Sequence, residues 1–466
     1  MSFVRYIKKR WGISGGYREF LIIALPLVIS MGAWALQNFI NRFFLAWHSE
    51  ASFAAALPAG MLNFSIMSFF IGAVSYIDVF VSQYYGKKEY RSIGHGIWQS
   101  LYLALAGSLI IFVISFFSKN IFGFIGHAPD VAAEEIKYFR ILCYGAFPSL
   151  AASALSGFYA GRGKTNVVLQ INIIGIIANI ILDYLLIFGN FGFPELGIEG
   201  AGIASICASV IMALSFAALI SSKENNEKYN TRPAPLDMNF IKRLLRFGLP
   251  NGVQFFFDMA GFTFFILIIG TIGTFELSAT NIALNINHLA FMPLIGCGIT
   301  TSILVGQYLG RNKASVAQIS VQTALHVVYA YTAVIVLGYI FIPNVFIYPF
   351  SKGAEAGIIE RIRPMTINLL RFVALYSVFD PLNIISASAI KGAGDTAFVM
   401  KALITLSIFV AAIPMYIVVV VLKMNIYVCW GVMVFYAIAL ATSFYLRYKK
   451  GKWKKMRVIE MEVTEG

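Results

Sequence analysis

Long, predominantly apolar runs recur along the whole chain, as at 101–117, 167–188 and 403–422. A helix rises ~1.5 Å per residue, so about twenty such residues cross the ~30 Å of a bilayer's hydrocarbon. A membrane β-barrel would instead need segments of ~10 residues alternating apolar and polar, and that pattern is missing. The chain is 59% hydrophobic and 12% charged, against roughly 45–50% and ~25% in soluble domains. No core surrounded by water hides that much apolar surface, so lipid is the solvent this sequence needs. The predicted fold is an all-α integral membrane protein of twelve transmembrane helices. Their expected spans are about 19–46, 53–81, 97–117, 139–160, 167–189, 200–220, 244–270, 280–305, 318–347, 366–390, 397–422 and 426–447.

The breaks between spans alternate in charge. One set holds Lys87, Lys88 and Arg91, then Arg162 and Lys164, then Lys223, Lys228, Arg232, Lys242, Arg243 and Arg246. Arg311, Lys313 and Lys391 continue it, and both chain ends belong to the same side, including the tail RYKKGKWKK. In the other set, AWHSEAS, GNFGFPELGIEG and GTIGTFELSATN contain neither Lys nor Arg. Basic residues favour the cytoplasmic side, so both termini are expected there, in the cytoplasmic (inner) membrane. Topology accounts for the formal charge of +14, and no nucleic-acid partner is expected. Cys143, Cys207, Cys297 and Cys429 lie inside apolar segments without a CxxC pair and read as small core hydrophobes. The opening MSFVRYIKKRWG lacks the apolar centre and cleavage site of a removable signal, so the first span is expected to remain.

Two internal correspondences mark a duplication. Pro26 precedes Gln83 of QYYGKKE by the same interval that separates Pro250 from Gln307 of QYLGRNK. Further on, GRGKT at 161–165 answers GAGDT at 392–396. A six-helix unit returns the chain to its starting side, so both copies should share one orientation. Two pseudo-symmetric six-helix lobes with a central cavity are the expected result. The expected organisation is a cytoplasmic N-terminal segment (1–18), an N-lobe (19–220), a polar cytoplasmic linker (221–243), a C-lobe (244–447) and a basic cytoplasmic tail (448–466).

Ionisable groups inside hydrocarbon are costly, which makes each a candidate for function. Asp258 lies near the middle of the seventh span, with Gln254 one turn and Asn251 about two turns before it on the same face. Asp380 stands mid-span in FDPLN, where Pro381 removes a backbone donor and is expected to kink the helix. Asp183 extends a stripe with Asn179 and Asn172 on the fifth span. Asn38 and Asn41 share a face of the first span beside Arg42, and His288 is close to Asn281 and Asn285 on the eighth. Asn172 and Asn38 are expected to join helices by hydrogen bonds. An unpaired acid in lipid needs a cation or a proton, and a carboxylate among amides offers the hard oxygens and titratable charge of a Na+ or H+ site. GISGG at 12–16 has no strand ahead of it, and GFYAGRGKT departs from phosphate-loop spacing. With no nucleophile–base pair or metal motif, neither enzymatic activity nor a cofactor is expected.

LLRFGLPNGVQFFFD resembles the start of the seventh helix of the multidrug and toxic compound extrusion (MATE) family, with Asp258 at its acid position. FDPLNIISASAIKGAGDT is similar to that family's tenth helix and following turn, with Asp380 at the matching interval from Asp395. NIILDYLLIFGNFGFPELGIEGAGIAS resembles the fifth helix, outer loop and sixth helix. Asn179 and Asp183 match the family's cation-site pair there, and Ser205 falls where the family often has Thr. GQYLGR and SQYYGK resemble its two loop signatures. The resemblance covers almost the whole chain. It implies an exporter in the bilayer that exchanges Na+ or H+ for amphipathic organic cations by alternating access; a two-lobed single chain can do this as a monomer. Na+ would bind at Asp258 and Asp380, or at Asn179 and Asp183. This chain departs from the family at FINRFFLAW, where many members carry an acid and Asn41 is followed by Arg42. Arg42 is expected to pair with Asp183 or to weaken its hold on a cation. Coupling would then rest on Asp258 and Asp380, with Gln254 and Asn285 as helpers. The rival reading is a flippase for a lipid-linked saccharide, whose pyrophosphate asks for several cationic cavity residues where only Arg42 and Arg371 qualify.

Overall fold

The computed structural model describes residues 8–125, 127–351 and 356–460. The outermost residues of the two expected cytoplasmic ends, 1–7 and 461–466, lie outside them. Among the described residues no strand occurs. Ten helices among the described residues are long and apolar enough to cross a bilayer, and two bent pairs bring the number to twelve. In chain order they are α1 (Tyr17–His48), α2 (Glu50–Lys87), α3 (Tyr90–Phe116), α4 (Pro129–Tyr144 with Ala146–Ala160), α5 (Thr165–Phe188) and α6 (Gly197–Ile220). The second half holds α7 (Met238–Gly270), α8 (Thr274–Gly310), α9 (Ala314–Phe341), α10 (Glu360–Ser377 with Asp380–Ala393), α11 (Thr396–Val421) and α12 (Ile426–Lys449). These correspond one for one to the expected spans. Apolar side chains left exposed on the helices, such as Phe39, Leu267 and Val334, are a surface made for hydrocarbon, where a helix satisfies its own backbone.

The two bent helices occupy equivalent places in the two halves. α10 bends by 41° between Ser377 and Asp380, where Pro381 opens the second piece and supplies no donor to the turn behind it. α4 bends by 43° at Gly145, with Pro148 in the first turn of its second piece. Around Pro414, α11 loosens into wider turns at Ser407–Ala412 and Ile417–Val421.

The chain packs as two compact units. One comprises the described parts of Met1–Val28, Phe257–Val305 and Lys313–Met456. Its core gathers Phe265, Ile269, Ala283, Leu369, Val373 and Trp430, and the fully buried Trp430 reaches Thr280 Oγ1 with its indole N–H at 3.4 Å. The other comprises Ile29–Phe256, Gly306–Asn312 and the described part of Arg457–Gly466.

In that second unit the two repeated motifs meet each other. A Cβ on Gly86 of QYYG would overlap the Gln307 carbonyl, and a Cβ on Gly310 of QYLG would overlap the Gln83 carbonyl. The glycines are thus the points where two helix ends cross with backbone against backbone. Both glutamines are buried: Gln307 Nε2 donates to the Gly161 carbonyl at 2.8 Å, and Gln83 Oε1 accepts from the Val458 N–H at 2.9 Å.

Candidate functional site

In the unit that holds Ile29–Phe256, α1, α5 and α6 bring Gln37, Asn41, Asn179, Asp183 and Ser205 together. Asn179 and Asp183, one turn apart on α5, are both 0% exposed. Gln37 Nε2 donates to Asn179 Oδ1 at 2.6 Å, and Asn179 Nδ2 donates to Ser205 Oγ at 3.5 Å. With its amide nitrogen turned toward α5, Asn41 donates to Asp183 Oδ2 at 2.6 Å and to Asn179 Oδ1 at 3.1 Å. The second carboxyl oxygen, Asp183 Oδ1, is buried without a hydrogen-bond partner among the described residues. Tyr138 of α4 lies within electrostatic reach of both Asp183 and Arg42.

The expected pairing of Arg42 with Asp183 is not formed. Arg42 is exposed and joins no ion pair among the described residues; Asn41 holds the carboxyl in its place. Successive residues on a helix point ~100° apart, so the face that turns Asn41 inward together with Gln37 turns Arg42 away. Gln37, which the sequence reading passed over, was signalled by its position one turn before Asn41. Asn172 is half-buried two turns earlier on α5, while Asn38 donates to the Trp34 carbonyl of its own helix at 3.1 Å and joins no other through that bond.

A second cluster lies in the other unit, at the bend of α10. Asp380 is 6% exposed, and Ser377, on the opposite side of the break, lies beside its carboxyl. Tyr376 lies within electrostatic reach of Asp380, and its hydroxyl accepts from Asn287 Nδ2 of α8 at 3.0 Å. Asn285, the expected helper, is exposed and donates to the Asn281 carbonyl of its own helix at 2.8 Å. The amide that α8 contributes to this cluster is therefore Asn287, which lies ~200° round the helix from Asn285. Asp258 is exposed on α7, within electrostatic reach of Tyr436. Gln254 is half-buried one turn before it, and His288 is exposed. Among the described residues no group of three or more His, Cys, Asp or Glu is placed to hold a metal ion.

Twelve helical spans with carboxyl–amide clusters set among them define a polytopic α-helical membrane protein. A family model described as MatE matches residues 26–185 and again 250–418. The two matches open on the same prolines that mark the internal repeat. The chain belongs to the MATE family. It is similar to the probable multidrug resistance protein NorM of Brucella suis biovar 1 (strain 1330), 25% identical over 406 residues that cover 84% of this chain and 83% of that protein. It is also similar to the multidrug resistance protein MdtK of Edwardsiella ictaluri (strain 93-146), 25% identical over 383 residues, covering 81% and 82%.

Two solved structures share the fold. One is described as the outward-facing conformation of a multidrug resistance MATE family transporter of the MOP superfamily (TM-score 0.85, 18% identity, 97% of this chain and 99% of that one). The other is a MOP superfamily transporter from Pyrococcus furiosus Vc1 (DSM3638), whose reversed binding-pocket polarity is said to suggest a different function (TM-score 0.84, 18% identity, 97% and 99%).

Proposed function

We propose that this chain is a secondary antiporter of the cytoplasmic membrane that exports amphipathic organic cations in exchange for Na+ or H+. Its two six-helix halves, 19–220 and 244–447, would alternate access to the two sides, with both termini cytoplasmic. The observation that carries this reading is Asp183: a fully buried carboxyl, held on one oxygen by the Asn41 amide, with no partner for the other. An isolated carboxylate in a low-dielectric interior is too costly to persist, so the group must take up a proton or a cation. Asn179 and Ser205 supply further oxygens beside it, as a small hard cation requires. Asp380 with Ser377 is a second such acid in the other unit, and Asp258 a third carboxyl in the spans.

With Arg42 turned away, coupling through Asp183 is the favoured route, and the Asp380 cluster the second. Efflux of a fluorescent organic cation from proteoliposomes, driven separately by a Na+ gradient and a pH gradient, tests this. Asp183→Asn should abolish gradient-driven transport, Asp380→Asn should weaken it, and the effective gradient names the ion. Undiminished transport by folded Asp183→Asn would refute coupling at this acid. No cation transport by the native chain under either gradient would instead favour a lipid-linked saccharide as cargo.

A further inference from the structure

The stretch joining α6 to α7 is a folded strap. Ser222 caps a short helix, Lys223–Tyr229, by accepting from the Asn225 N–H, and Thr231 Oγ1 donates back to the Ile220 carbonyl at 3.0 Å. Arg162, 5% exposed, lies over the rings of Phe158 at 3.7 Å and Tyr229 at 4.4 Å and donates to Asn225 Oδ1. Gly94 on α3 leaves room for the strap, because a Cβ there would overlap the Asn230 and Tyr229 carbonyls. Beyond it the chain runs along the flank of α3: Trp98 Nε1, Tyr102 Oη and Gln99 Nε2 donate to the carbonyls of Thr231, Ala234 and Pro235 at 3.0, 2.8 and 2.8 Å. Trp and Tyr seek the level where hydrocarbon meets headgroups, and the neighbouring Leu236 and Met238 are more than half exposed.

Here the strap and the first turn of α3 border an open-sided pocket of about 430 Å³ lined by Arg91, Lys223, Asn226, Glu227, Asn230 and Arg232. Arg91 is shared with an adjoining pocket that Lys228 also lines. None of these four cations is in an ion pair among the described residues. Glu227 is the single acid in the first lining, and the acid of the second, Glu89, is already paired with Lys87. The four cationic side chains are exposed; like charges gathered around one pocket repel one another, and an anion seated among them relieves that repulsion.

We propose that this pocket binds the phosphate-bearing headgroup of an anionic phospholipid, with its acyl chains lying over the apolar surface beside Leu236 and Met238. Basic pockets at the ends of spanning helices have the chemistry for this recognition, since Arg and Lys donate several charge-assisted hydrogen bonds to one phosphate. Charge set only by topology would attract anionic lipid diffusely, with no preference for these positions.

Native mass spectrometry of the detergent-purified full chain after exposure to phosphatidylglycerol or phosphatidylcholine distinguishes the two. The native protein should retain phosphatidylglycerol selectively. Arg91→Gln/Lys223→Gln/Arg232→Gln should lose at least about tenfold of that retention. Lys313→Gln/Lys401→Gln/Lys452→Gln, which removes equal charge elsewhere, should not. Equal retention by the two triple variants would overturn the proposal. So would inorganic phosphate raising the native protein's melting temperature as much as phosphatidylglycerol does, since the site would then read free phosphate. If the triple variant fails to fold, Arg232→Gln alone, compared with Arg232→Lys, gives the same reading: loss in the first and retention in the second support the site, and equal retention in both overturns it.

Discussion

Asn41 stands where the resemblance places an acid, and it meets Asp183 by donating rather than accepting. Its amide satisfies one oxygen of Asp183, which leaves a single buried carboxyl where two adjacent acids would share one charge between them. Asn41→Ala removes that donor and leaves both oxygens of a buried acid unpartnered, a change worth about 1–3 kcal/mol. Transport coupled through Asp183 should fall roughly tenfold or more in proteoliposome efflux. Arg42→Ala should leave both transport and ion dependence unchanged, because the guanidinium is exposed and outside the cluster. A change in ion dependence on losing Arg42 would restore the electrostatic role that the bare sequence suggests for it.

At the scale of elements, two local devices set helix ends and crossings. Asp237 caps α7: its Oδ1 accepts from the N–H groups of Asn239 and Phe240 at 2.9 and 3.1 Å, and Oδ2 lies 3.1 Å from His95 Nε2. The Phe240 N–H above all, with His95 and the Asn239 N–H, holds this carboxyl below its ordinary value. Its contribution is therefore present above the ordinary carboxylate pKa of ~3.9 and is lost as pH falls through the lowered value. Asp237→Ala should destabilise the chain by about 1 kcal/mol near neutrality, and the difference from native protein should vanish in acid. Thermal melts of both proteins across that pH range measure it. The crossing of Gly86 and Gly310 is less forgiving. Gly310→Ala meets the Gln83 backbone rather than a flexible side-chain end, so it should cost at least about 2 kcal/mol, read as a lower melting temperature. A melt identical to that of the native protein would show that the helices part freely there.

Over the whole molecule, the duplication appears in three independent ways: the family model matches twice, the helices at equivalent places bend by 43° and 41°, and the repeated glutamine–glycine motifs face each other reciprocally. The stretch that follows α12 packs back onto the chain. Val458 and Ile459 are buried, Glu460 pairs with Arg243 at 2.8 Å, and the Val458 N–H satisfies Gln83 Oε1. A chain ending at Met456 takes that donor from a buried acceptor. It should lose about 1–3 kcal/mol of stability, seen as a lower unfolding midpoint in detergent. An unchanged midpoint would mean the tail rests on the surface passively.

The sequence by itself determined the solvent, the number and order of the helices, the duplication and the family. The first three follow from apolar length, charge alternation or fixed spacing, and the family from the resemblance of its motifs; all are properties of the chain as a string. The kink at Asp380 was legible for the same reason, because Pro381 cannot donate wherever it sits. The bend at Gly145 was not singled out, since a glycine with a proline three residues on is tolerated in many straight helices. Only the tertiary structure decided which polar side chains meet. It chose Asn41 over Arg42 and Asn287 over Asn285, and it added Gln37. In each case the helix's rotation about its own axis selected the face, and that rotation is fixed by packing against neighbours distant in sequence. The stretch at 221–243 reads as a polar linker because its partners, Arg162, Gly94, Trp98 and Tyr102, lie far away in the chain. Folding brings them together, and a string of polar residues becomes a strap that closes a basic pocket.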